Sequence, residues 1–155
     1  MYSESESVEF LSVDIVAGPP HVVEILRVPD GSDVIRRARL ITSETDGPIE
    51  VSTSWFPTEF AELAPRLLSR ERLRGGTAKY VASVSGRVPS YARDQVMARL
   101  ATAEERRRLR LPRPAAVLVY WFTVLDVEDR PMQFDEAVYP PQRWAFRQEY
   151  PLVLP

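Results

Sequence analysis

Between Val34 and Pro57 the chain reads VIRRARLITSETDGPIEVSTSWFP, two alternating runs joined by an Asp46-Gly47 turn. Such runs are strands, and successive side chains on a strand point to opposite faces. Ile35, Arg37, Arg39 and Ile41 therefore share one face of the strand Val34–Ser43. Its partner Ile49–Phe56 has the faces Ile49/Val51/Thr53/Trp55 and Glu50/Ser52/Ser54/Phe56. Upstream, Val8–Ala17 is a further strand, broken by Gly18-Pro19-Pro20. Proline is well tolerated in a first helical turn, so His21–Arg27 is predicted as a short helix. Pro29-Asp30-Gly31 then turns the chain back into the strand at Val34.

After Pro57 the apolar spacing becomes helical, with Phe60, Leu63 and Leu67 in PTEFAELAPRLL. Arg74-Gly75-Gly76-Thr77 reads as a glycine turn whose Thr77 caps a helix over Thr77–Ser85, ended by Gly86. Arg87–Ala98 is the next strand, with Val88, Val96 and Ala98 on one face and Tyr91 and Arg93 sharing a face. Thr102–Glu105 forms a capping box that opens the helix TAEERRRLRL, stopped by Pro112. Ala115–Leu125 is apolar on both faces, as a central strand covered on each side must be. The turn Glu128-Asp129-Arg130-Pro131 leads to Met132–Tyr139, and Pro140-Pro141 to a last strand near Ala145–Tyr150. Adjacent hairpins with inserted helices predict an α+β fold, a mostly antiparallel sheet of about six strands with short helices.

A chain of 155 residues suits one domain, with residues 1–7 (MYSESES) as a flexible tail or linker remnant and 8–155 as the domain. No apolar run approaches a bilayer-spanning length, and the acidic, serine-rich start is unlike a signal peptide. A cytoplasmic chain with no membrane contact is expected, in keeping with the absence of cysteine. A net charge of −2 argues against nucleic-acid binding by this chain alone. The run Arg106-Arg107-Arg108-Leu109-Arg110 ends a helix that starts with acids, an order that complements the helix dipole. With no cysteine and only His21, cysteine–histidine nucleophile pairs and Cys/His zinc sites are impossible. Nothing marks a triad around His21, and no glycine-rich nucleotide loop is present. No catalytic residue, metal or cofactor is therefore expected.

What remains is the pair Arg37 and Arg39. Two guanidiniums bracketed by isoleucines suggest a partly dry pocket that wants an anion, because a buried, unpaired charge is costly. The same residues also fit a solvent-facing pair, or one matched to carboxylates such as Asp135 or Glu136.

Several motifs in order carry a family resemblance. They are Arg37-Ala38-Arg39, the hairpin end Ser54-Trp55-Phe56-Pro57, Gly75-Gly76-Thr77, Thr102-Ala103-Glu104-Glu105 with Leu109, and Pro114 before the apolar strand. Asp126–Pro131 and Tyr139 with Arg143-Trp144 complete the set. Together they resemble the effector-binding (UTRA, chorismate lyase-like) domain of GntR-type bacterial transcription regulators of the HutC subfamily. The resemblance implies a cytosolic, dimeric sensor that binds a small molecule between sheet and helices and so alters an attached winged helix-turn-helix. The DNA reader is expected to lie outside this chain, excised from it, with the SESES tail near the linker.

Residue by residue, the resemblance implies that Arg37 or Arg39 holds the ligand's anionic group, as two arginines on one strand can do. Where sugar-phosphate binders in the family carry a glutamate, this chain has Ser52, with Ser54 beside it. Where the family often has tyrosines, it has Trp55 and Trp144, which implies a larger, more apolar lining if both face the pocket. Tyr91 and Arg93 are candidates for its wall. Two other functions fit the same residues. One is a chorismate lyase-like enzyme whose arginines hold a dicarboxylate; the other is a structural dimerisation domain whose apolar strand positions, such as Val117, Val119 and Trp121, serve an interface.

Overall fold

A computed structural model describes residues 5–152. Six antiparallel strands form one sheet in the order β1-β2-β3-β6-β5-β4. The strands are β1 (Glu6–Ala17), β2 (Asp33–Ser43), β3 (Gly47–Pro57), β4 (Pro89–Leu100), β5 (Ala116–Asp126) and β6 (Pro131–Tyr139). Helices α1 (Pro20–Leu26), α2 (Phe60–Leu63), α3 (Thr77–Ser85) and α4 (Ala103–Leu109) fill the connections. The expected α+β class with a mostly antiparallel sheet is what forms.

Each face of the sheet takes its own helices. On one face, Val34, Trp55 and Phe134 pack against Val22 and Leu26 of α1, and Val117, Val119 and Val138 pack against Leu109 of α4. On the other, Ile35, Phe56 and Val124 meet Phe60 of α2, Leu67 and Val81 of α3. Burial of such side chains is the main favourable term in folding. That second face is covered only at one end. Toward the other end β5 presents Tyr120 and Phe122 half-buried, and the edge strand β4 is exposed along nearly its whole length. β5 is thus interior, as its apolar sequence suggests, but it is not fully covered.

Four local expectations change. β1 begins at Glu6, so Glu6 and Ser7, read as tail, pair with Ser43 and Thr42; Met1–Glu4 lie outside the described residues. The helical stretch after Pro57 divides into α2 and a 3-10 turn at Pro65–Leu68. The proline ring pushes the preceding residue out of the helical region, and Ala64 takes φ −130°. α4 ends at Leu109, before Pro112, with Arg110 left-handed, while its Thr102–Glu105 capping box forms as read. The strand expected at Ala145–Tyr150 does not form: among the described residues nothing pairs with it. Pro140-Pro141 offers no amide donor to continue the ladder beyond β6.

One buried carboxylate ties the end of the sheet together. Asp126, 1% exposed, accepts from the backbone amides of Glu128 and Arg130 through Oδ1, both at 2.9 Å. Its Oδ2 accepts from Arg87 Nε at 2.7 Å and Arg130 Nε at 3.2 Å. Arg87 also donates to Glu59 and to the carbonyls of Arg130 and Pro131, and lies 5.3 Å from the Phe60 ring centre. Burial alone would raise the Asp126 carboxyl; the donors outweigh it and hold the group at about 2. The stability it confers is present above the ordinary aspartate range and is lost as pH falls toward 2. Asp126→Ala removes one carboxylate from the buried Arg87 guanidinium and leaves the Glu128 and Arg130 amides without their acceptor, so urea unfolding at pH 7 is expected to show a loss of about 3 kcal/mol.

Candidate functional site

The half-covered face leaves a cavity of about 800 Å³. β2 and β6 form its floor through Arg37, Arg39, Gln133 and Asp135; Val8 and Phe10 of β1 and Phe122 of β5 wall it; Glu71–Ala78 roofs it. The cross-strand register sets this composition. Arg37 lies opposite Ser54, which lies opposite Asp135, and Asp135 lies opposite Phe122, so all four point the same way.

The two arginines have different jobs. Arg37 is 1% exposed, and its guanidinium lies 5.1 Å from the Phe10 ring centre. Nη1 donates to the carbonyls of Leu67, Ser69 (2.7 Å) and Arg66 (3.3 Å), and Nη2 to that of Glu71 at 2.9 Å. These are carbonyls of the 3-10 turn and the segment after it; a helix end leaves such groups without intrahelical partners, although that of Arg66 also accepts from the Ser69 amide and hydroxyl. Burial, then the neighbouring Arg39, lowers the Arg37 guanidinium to about 10. Arg39 is only half-buried; its Nε donates to Ser52 Oγ at 3.0 Å. Among the described residues its two Nη atoms have no hydrogen bond, and they face the cavity.

Two carboxyls share this face. Gln133 Nε2 donates to Asp135 Oδ2 at 2.6 Å, while Asp135 Oδ1 and the Ser54 Oγ across the strands from it are shut from solvent. Burial pushes the Asp135 carboxyl up, with Ser54, Arg39 and Gln133 opposing; Glu50 is likewise raised by burial, against Ser52 and Arg39. At the roof, Gly75 and Gly76 adopt φ 81° and 91°, positions that admit glycine without strain. Gly76 is the N-cap of α3, and Thr77 does not cap it. Its hydroxyl instead donates to Gln133 Oε1 at 2.8 Å, joining roof to floor.

The residues named from sequence divide into two groups. Arg37, Arg39, Ser52 and Ser54 come together at or beneath the floor. Trp55, Tyr91, Arg93 and Trp144 do not line the cavity. Trp55 is next to Ser54 on the strand and so lies on the opposite face, where its Nε1 donates to Glu136 Oε1 at 2.8 Å. His21 Nε2 reaches the other oxygen of Glu136 at 3.0 Å and the ring stacks on Trp121, so the lone histidine is structural. Arg93 pairs with Thr123 and shares that far face; Tyr91 donates to Asp129 at the sheet's end. Trp144 is 84% exposed beyond β6. An apolar lining made by two tryptophans is therefore not present; Phe10 and Phe122 supply the aromatic wall.

Asp135, Gln133 and Phe122 line the site without having been singled out as ligand contacts. The alternation Gln133-Phe134-Asp135 carried the signal, since two polar residues flank a core phenylalanine on one strand. Among the described residues no helix is long and apolar enough to cross a membrane.

The UTRA domain family profile matches residues 4–145, and the chain belongs to that family. No curated protein matches it in sequence. Its fold is shared with solved structures of low identity. A GntR-family transcriptional regulator from Enterococcus faecalis V583 superposes with TM-score 0.80 at 16% identity, over 93% of this chain and 100% of that one. The C-terminal domain of the histidine utilization repressor from Pseudomonas syringae gives 0.79 at 16%, over 95% and 99%. The effector domain of PhnF from Mycobacterium smegmatis gives 0.74 at 16%, over 96% and 88%.

Two substitutions separate the arginines. Arg37→Ala leaves four carbonyls without their cation and is expected to cost about 2–4 kcal/mol in urea unfolding, whereas Arg39→Ala costs under about 1 kcal/mol. Asp135 acts in the opposite sense. Its folded carboxyl is raised, so its contribution to stability is full at low pH and is lost as pH rises through the folded value. Asp135→Asn keeps the bond from Gln133 and is expected to raise the melting temperature at pH 7 but not near pH 3.

Proposed function

We propose that this chain is the small-molecule-sensing domain of a GntR-type transcription regulator. The observation that carries the reading is the unfilled cavity beside Arg39, whose Nη atoms make no hydrogen bond among the described residues. The family supplies the context: the similar structures are regulator domains, one described as an effector domain. The ligand carries an anionic group that docks on Arg39, and Arg37 supports the site from below by holding the segment that leads into the roof. The chain works as a homodimer, and ligand binding alters a winged helix-turn-helix attached to it. A ligand shifts that equilibrium only by its difference in affinity between the DNA-competent and DNA-incompetent states.

Sensing is favoured over a purely structural dimerisation role because side chains do not fill the space around Arg39. It is favoured over a chorismate lyase-like reaction because the related structures are regulators. Fold alone does not transfer chemistry.

Thermal unfolding with a metabolite panel of phosphosugars, carboxylates and aromatic acids tests the reading. A ligand at about 100 times its Kd stabilises by roughly 2.7 kcal/mol, a rise of several degrees. The rise is expected in the wild type and strongly reduced in Arg39→Gln. A panel that never moves the transition counts against sensing.

A further inference from the structure

The cavity floor is not simply cationic. Arg37 is taken up by four backbone carbonyls, leaving Arg39 as the cation that the floor offers to a ligand, while Arg72, Arg74 and Glu71 belong to the roof. Two strands away on the same face stands Asp135, inside the same cavity and across β3 from Arg37. A carboxylate has about four lone-pair sites. Asp135 receives a donated hydrogen bond from Gln133 on Oδ2, and since its Oδ1 is shut from solvent beside Ser54, Oδ2 is the oxygen a ligand in the cavity can meet. A ligand that brought only an anion would satisfy Arg39 and add a like charge near Asp135. A ligand that also brought a cationic donor would satisfy both.

The geometry points to a zwitterion: resting on the sensing role proposed above, we infer that the cavity takes an amino acid-like ligand. Its carboxylate pairs with Arg39, its ammonium with Asp135, and its apolar body lies against Phe10, Leu73 and Phe122. Arg39 supplies a planar fork suited to a carboxylate. The ammonium supplies a compact point charge with three donors, suited to the carboxylate oxygen that a ligand in the cavity can meet. The aromatic wall gives the body a surface that a small, fully hydroxylated ligand would leave dry and unmatched. Glu50, on the same face beyond Ser52 and opposite Ile41, lies diagonally from Arg39 and adds negative charge near it.

Calorimetric titration at pH 7 with matched probes tests this. L-phenylalanine, L-leucine and L-tyrosine are each compared with the analogue bearing hydroxyl in place of ammonium and with the analogue bearing hydrogen there. The amino acid that binds best is expected to bind at least about tenfold more tightly than its hydroxy and unsubstituted analogues, the size of one charge-assisted hydrogen bond. Asp135→Asn is expected to erase that preference, weakening the amino acid while the unsubstituted acid binds as tightly as before or more tightly; Arg39→Gln is expected to weaken all three. Hydroxy or unsubstituted acids binding as tightly as the amino acids would overturn the zwitterion and leave sensing intact. So would phosphosugars binding when no amino acid does. Silence from these probes and from the wider metabolite panel together would instead remove the sensing role on which the inference rests.

Discussion

A single buried cation organises the covered half of this molecule. The Arg37 guanidinium gathers carbonyls from residues 66, 67, 69 and 71 at one point, under the ring of Phe10. The segment it holds has little regular structure of its own, one 3-10 turn followed by bends and a turn. Without it the carbonyls of Leu67, Ser69 and Glu71 would lose this donor, at a cost comparable to several lost hydrogen bonds, while that of Arg66 would keep Ser69. With it, the chain is fixed where it enters the cavity roof, and the roof in turn is fixed to the floor by Thr77 and Gln133. The cavity exists because the helices cover only one end of this face and the pinned segment bridges the rest.

This division of labour makes two neighbouring arginines chemically unlike. One has its charge distributed over peptide dipoles and lies out of reach of solvent. The other, two residues on, leans on a serine and keeps its donors toward open space. The difference comes from what stands above each: the 3-10 turn over Arg37, the cavity over Arg39. Asp135 and Glu50 then set the electrostatic tone of the floor. Both are carboxyls that burial pushes toward the neutral form and Arg39 pulls back toward the charged one. Such opposed pairs are costly to the fold, and functional sites are where that cost is commonly found.

Much of this was legible from strand alternation. The period of two placed Arg37 with Arg39 and Ser52 with Ser54, and the sheet register brought those four together. The same rule places Trp55 on the far face, since it is adjacent to Ser54 and the strand has no bulge between them. What alternation cannot supply is which face a strand turns toward the cavity when it enters the sheet from a long connection. Arg93 and Tyr91 on β4 therefore had no fixed side until its register with β5 was known. Asp135 was visible as a carboxylate near the arginines but not as a cavity wall, because the order β3-β6-β5 brings together segments far apart in sequence. The role of Arg37 was the least legible, since its partners are backbone carbonyls and carry no side-chain signature at all. Trp144 was a pocket candidate only through the family resemblance, and prolines 140 and 141 lead it away from the sheet.

Amide hydrogen exchange on ligand-free Arg37→Met and Arg39→Met measures the central asymmetry directly. The account predicts that the Arg37 variant loses protection across residues 66–76 while the Arg39 variant keeps the wild-type pattern there. Equal loss in both, or none in either, would contradict it.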